Sequence, residues 1–221
     1  MKEHDDYSEL LDKADEYRQS GELVSAADYY SRVGYYGLSR ACFHHRGLWI
    51  GIDKLRLAAV CYRMSGEDSR CTNRSQQSEL MINEVIDNHL PENKTKRDAW
   101  TGLAHEYIGD FRMIANRKDA NEAYQTAMKL YKRVEQAGAP DPVYAWAGED
   151  GFHFSTNFLL YLIDAVGWKI DSDSFTALRS LSLTYRIEYR HEYIAELLSL
   201  LDKSETLEWS DDVLAPPDES E

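Results

Sequence analysis

The chain has only five prolines and twelve glycines among 221 residues. Long stretches hold neither, which disfavours a fold of many short strands and leaves room for long helices. Cysteine is scarcer still. Cys42, Cys61 and Cys71 form no CxxC pair and no ladder with histidine, so the sequence points to neither a zinc site nor a disulfide framework, and the thiols read as reduced core residues. No apolar run approaches the roughly 18 residues of a membrane span. The amino terminus, MKEHDDYSELLDKADEY, is acidic and amphipathic rather than a basic leader. The expectation is a cytoplasmic protein without membrane contact. Positive charge is also short, with 25 Lys and Arg against 39 Asp and Glu for a net charge of −14. That disfavours a nucleic-acid binder, which needs a basic footprint, and adhesion to anionic lipid.

Hydrophobic residues make up 43% of the chain, enough for a packed core. Arginine outnumbers lysine and aspartate slightly exceeds glutamate. Such an acidic, lysine-poor composition resembles proteins of salt-accumulating archaea, whose dense carboxylates keep a hydrated surface in concentrated salt. A halophilic, haloarchaeal source is one expectation, and an ordinary acidic cytosolic protein is the other.

An internal repeat organises the first two thirds of the chain. Leu10, Ala14 and Tyr17 recur as Leu55, Ala59 and Tyr62, and again as Trp100, Ala104 and Tyr107, each position stepping by 45 residues twice. Residues spaced 4 and 3 apart share one helix face. Gly21-Glu22 and Gly66-Glu67 follow the first two tyrosines at the same distance, whereas the third copy has Phe111 there and a glycine earlier, at Gly109. A glycine at that point ends the helix in a left-handed cap. Second helices follow, with Ala26, Tyr30 and Val33 after the first copy and Ala120, Tyr124 and Ala127 after the third.

This pattern resembles the tetratricopeptide repeat. Residues Leu10 to Val33 fit it position by position; the third copy fits with four extra residues between its helices. The second copy offers Cys71, Ser75 and Ser78 where small, aromatic and small are expected. The resemblance implies an all-α fold: a right-handed superhelix of antiparallel helix hairpins, with about three units over 1–137. A C-terminal helical extension over 138–201 is expected to cap the array, with helices near 143–148, 151–167 and 173–201. GAPDP at 138–142 marks the break, and an acidic, loose tail occupies 202–221.

No nucleotide-binding, hydrolase or metalloprotease motif occurs. No enzymatic activity, cofactor or metal is therefore expected, and His44-His45-Arg46 reads as a polar connection. In tetratricopeptide arrays the residues one past the large, small and aromatic positions line a concave groove. The resemblance thus assigns the groove to Leu11, Asp15 and Arg18, then Arg56, Val60 and Arg63, then Thr101, His105 and Ile108. Arg18, Arg56, Arg63 and His105, with Asp15, are the candidate partner-binding residues. Arginine grips carboxylates bidentately, so the expected function is an adaptor that binds a partner protein or acidic peptide. Structural ion pairs with neighbouring repeats are the competing role for these arginines. Other functions left open are a ligand sensor or enzyme with a pocket beside 151–167, and a subunit of a permanent complex or homodimer.

Overall fold

The computed structural model describes residues 2–39, 45–88, 90–137 and 183–203. Its described residues form seven helices and no strand: α1 (Lys2–Gln19), α2 (Leu23–Ser39), α3 (His45–Met64), α4 (Asp68–Asn88), α5 (Lys94–Ile114), α6 (Ala120–Gln136) and α7 (Leu183–Lys203). None is long and apolar enough to cross a membrane. The expected helices near 143–148 and 151–167, and the tail beyond residue 203, lie outside the described residues. Of the expected connection His44-His45-Arg46, the residues His45 and Arg46 already belong to α3, and His44 lies outside the described residues.

Three tight turns fold the first six helices into hairpins. Gly21, Gly66 and Asn116 each adopt a left-handed conformation, with φ of 80°, 73° and 53°. Each turn carries the same pair of backbone bonds. Gly21 N donates to Arg18 O and Glu22 N to Tyr17 O; Gly66 N donates to Arg63 O and Glu67 N to Tyr62 O; Asn116 N donates to Met113 O and Arg117 N to Arg112 O. This pair of hydrogen bonds satisfies carbonyls that the last helical turn leaves open. The third cap corrects the register. Arg112, not Tyr107, occupies the place of Tyr17 and Tyr62, so the inserted residues lengthen α5 rather than the turn. Gly109 therefore stands where Ala14 and Ala59 stand.

The helices pack through small residues at these points of approach. In α6 the residues Ala120, Ala123, Tyr124, Ala127, Leu130, Tyr131 and Val134 are buried, the spacing of one apolar stripe. Tyr124 lies over Gly109 and Tyr131 over Gly102: a Cβ built on either glycine would sit 2.5 Å from a ring carbon. Between the first two hairpins, a Cβ on Gly51 would lie 2.8 Å from Gly34 O, so α2 and α3 touch at the backbone. Ala14, Ala26, Leu55, Ala59, Leu103 and Phe111 join one core that α7 enters with Ile194, Leu197 and Leu198. Cys61 and Cys71 are free and buried, and Cys42 lies outside the described residues.

Candidate functional site

Two clusters of charged side chains form where α7 meets α3 and α5, one sealed and one open. The sealed cluster centres on Asp110, which is wholly buried. One of its oxygens accepts from Arg56 Nη1 at 2.6 Å and from Arg190 Nη2 at 2.7 Å. The other accepts from Arg190 Nε and from the Tyr124 hydroxyl, both at 2.9 Å. Arg56 also donates to Asp53 Oδ1 at 2.9 Å and stacks on the Tyr107 ring, 3.9 Å from its centroid. Glu106 receives the Tyr131 hydroxyl at 2.9 Å and lies 3.4 Å from Arg190 Nε. Lys54, 3.5 Å from Asp53, completes the cluster with three acids and three bases.

Burial alone would lower the pKa of Arg190, but Asp110 and Glu106 outweigh it and the net shift is upward. Arg56 behaves alike: burial lowers its pKa, Tyr107, Asp110 and Asp53 raise it, and the net shift is again upward. Both guanidiniums remain charged. Tyr124 is pushed up chiefly by burial, with Asp110 adding to it, so its hydroxyl keeps the proton it donates.

The open cluster centres on Arg63, in the last turn of α3. Its Nη1 donates to Met113 O at 2.9 Å and Ile114 O at 2.7 Å, the end carbonyls of α5. Its other edge grips Asp202 of α7 side-on, Nε to Oδ1 at 2.8 Å and Nη2 to Oδ2 at 2.5 Å. A cleft of about 400 Å³ opens beside this pair, lined by Asp68, Cys71, Thr72, Ile114 and Asn116. A second, of about 260 Å³, lies against Met113, Arg117, Ala195, Leu198 and Ser199. Arg63, Asn116 and Asp202 belong to both. Burial pushes the Cys71 thiol up to about 11, so it stays protonated at neutral pH and presents no thiolate to the cleft.

The five residues expected to line a groove therefore have different surroundings. Arg56 is fully enclosed and offers a ligand nothing, because Asp53 and Asp110 take its guanidinium. Arg63 reaches a cleft. Asp15 accepts the hydroxyl of Tyr30, the same bond that Asp110 accepts from Tyr124. Arg18 is half-buried at the C-terminal turn of α1, where a cation suits the helix dipole. His105 is half-buried on α5, beside Arg112 and Glu79. The structure brings Arg56 into the sealed cluster and Arg63 onto Asp202 of α7. Among the described residues no group of three or more His, Cys, Asp or Glu is arranged to hold a metal ion.

Glu106, Asp110 and Arg190 are buried charged neighbours that the repeat pattern did not single out. In the register set by the caps, Glu106 and Asp110 occupy the places of Arg56 and Val60. One signal marked Asp110: like Asp15, it follows a small residue and precedes a tyrosine about fifteen positions on.

Family models, curated proteins and solved structures offer no match to this chain.

Burial holds the pKa of His105 below its ordinary value, Arg112 adds to the effect and Glu79 opposes it. Folding thus favours the neutral ring. The stabilisation is complete above the unfolded value of about 6.5 and is lost as pH falls through it, because the unfolded chain takes up the proton first. The His105→Gln variant should lose less stability than the wild type between about pH 7.5 and 5.5. Urea unfolding at the two pH values measures this, and equal losses in both proteins would remove His105 from the account.

Proposed function

We propose that the protein is a non-enzymatic interaction adaptor that binds a partner protein or acidic peptide. The observation that supports this most is the division of labour along α7. At Arg190 the chain's own helix is locked onto α5 by enclosed ion pairs with Glu106 and Asp110. At Asp202 the last turn of the same helix meets Arg63, and two clefts flank that pair. The first arrangement makes the array a preformed body, and preorganisation is what lets a modest surface bind. The second leaves a polar, arginine-centred surface for a partner. The resemblance of the hairpins to tetratricopeptide arrays, which carry extended binding faces, points the same way by analogy.

The test begins with affinity capture by the full-length protein at controlled ionic strength. Each captured protein is then purified and titrated against the chain by calorimetry. A saturable one-to-one complex is the expected result. If no protein or peptide binds saturably in direct titration, the adaptor reading falls. Sedimentation of the chain alone checks whether the partner is a second copy.

A further inference from the structure

We infer that Arg63 is the receptor for a carboxylate of the partner, and that Asp202 is a tethered stand-in displaced when the partner binds; this rests on the adaptor reading. The two carbonyls at the end of α5 hold Nη1 of Arg63 in place. That fixes the guanidinium plane and turns the Nε–Nη2 edge outward, the edge that matches a carboxylate with two parallel bonds. The side chain of Arg63 is 12% exposed whereas that of Asp202 is 50% exposed. Asp202, in the last turn of α7, is the more solvent-exposed of the two partners. Half of the Asp202 side chain is open to water, which competes for its carboxylate, and an incoming carboxylate would make the same two parallel bonds to Arg63 in its place. The Arg56–Asp110–Arg190 cluster lacks this property, being sealed on all sides.

The clefts set the size and kind of ligand. They flank the Arg63–Asp202 pair and share Arg63, Asn116 and Asp202 as walls. The larger falls in the range of small-ligand sites. A ligand bigger than a simple anion therefore has room on both sides of the carboxylate it places on Arg63. The second cleft adds Arg117 beside the apolar Met113 and Leu198, surroundings that suit an acidic peptide with an apolar neighbour. Generic anions are repelled by the net charge of −14, so recognition depends on the local two-point contact.

The experiment uses the full-length protein and a fluorescein-labelled hexaglutamate peptide, followed by anisotropy, with hexaglutamine as control. Asp202→Ala should bind hexaglutamate roughly three- to fivefold more tightly than the wild type, the weight of an exposed ion pair. Arg63→Gln, confirmed folded by circular dichroism, should abolish the binding, and Arg63→Lys should restore only part of it. Equal affinity of Asp202→Ala and wild type would overturn the stand-in role. Equal affinity of Arg63→Gln and wild type would overturn the receptor. Should Arg63→Gln not fold, the Asp202→Ala comparison still decides. A partner from the capture experiment that binds Arg63→Gln as well as wild type would leave the adaptor standing and remove this site. Absence of binding by both peptide and protein would remove both.

Discussion

Replacing Arg190 with leucine is expected to lower the unfolding free energy by about 3–5 kcal/mol, the cost of stranding buried charge when one partner of an enclosed pair is removed. Asp110 would keep Arg56 and Tyr124 but lose both bonds from Arg190, and Glu106 would lose its nearby cation. Leucine fills part of the volume, so the loss reports mainly on electrostatics rather than on a cavity. The second half of the test is the Arg190→Leu, Glu106→Gln double variant. Glutamine still accepts the Tyr131 hydroxyl but carries no charge, so the double variant should recover part of the loss. Urea unfolding of the three proteins gives both numbers. A loss below about 1 kcal/mol, the scale of an exposed pair, would mean that water reaches the cluster.

The second large effect is steric. Gly109→Ala and Gly102→Ala each gain about 1 kcal/mol of intrinsic helix propensity, and on that ground alone should stabilise α5. The opposing term is overpacking, typically about 1–3 kcal/mol. Here the added methyl would meet the face of a tyrosine ring at 2.5 Å. That ring is held at its far end by Asp110 or Glu106 and cannot swing aside without breaking a buried hydrogen bond. The clash is therefore expected to win, with net destabilisation on the order of 1–2 kcal/mol for each variant. Gly21→Ala provides the contrast. Its Cβ would meet nothing within 4 Å, so its cost of about 1 kcal/mol comes from the left-handed backbone alone. Thermal and urea unfolding of the set distinguishes the cases. A neutral or stabilising Gly109→Ala would show that α5 and α6 stand further apart than their glycines and rings imply.

Much of the helical layout was legible in the sequence, for local reasons. Glycine followed by glutamate at 21 and 66 marked two caps because left-handed backbone selects glycine. The third cap uses Asn116, a residue that also tolerates this conformation but is too common elsewhere to signal it. Trp100, Ala104 and Tyr107 do share a buried face of α5, so that reading found a true helix stripe and placed its end too early. The extra residues lie inside the helix, where they shift register without interrupting periodicity. The open and sealed clusters were harder to see. Arg56 and Arg63 occupy matching positions one past a large residue and one past an aromatic, yet one is enclosed and the other is not. The difference is set by α7, whose partners stand 80 and 139 residues away. No local pattern records that distance. Arg190 itself sits among tyrosines and glutamates that look like an ordinary solvated helix face.

The four helices that meet at Asp110 also become available at different times during synthesis. Arg56 leaves the ribosome long before Arg190, and at about 5–20 residues per second the wait is roughly 7–27 seconds. In that interval the hairpins can form from contacts close in sequence, which close quickly. Their α5 face, however, still presents Glu106 and Asp110 to water. Those carboxylates keep a half-made array hydrated where an apolar seam of the same size would invite association with a neighbouring nascent chain. When α7 arrives, Arg190 neutralises them and the surface that protected the growing chain becomes its interior.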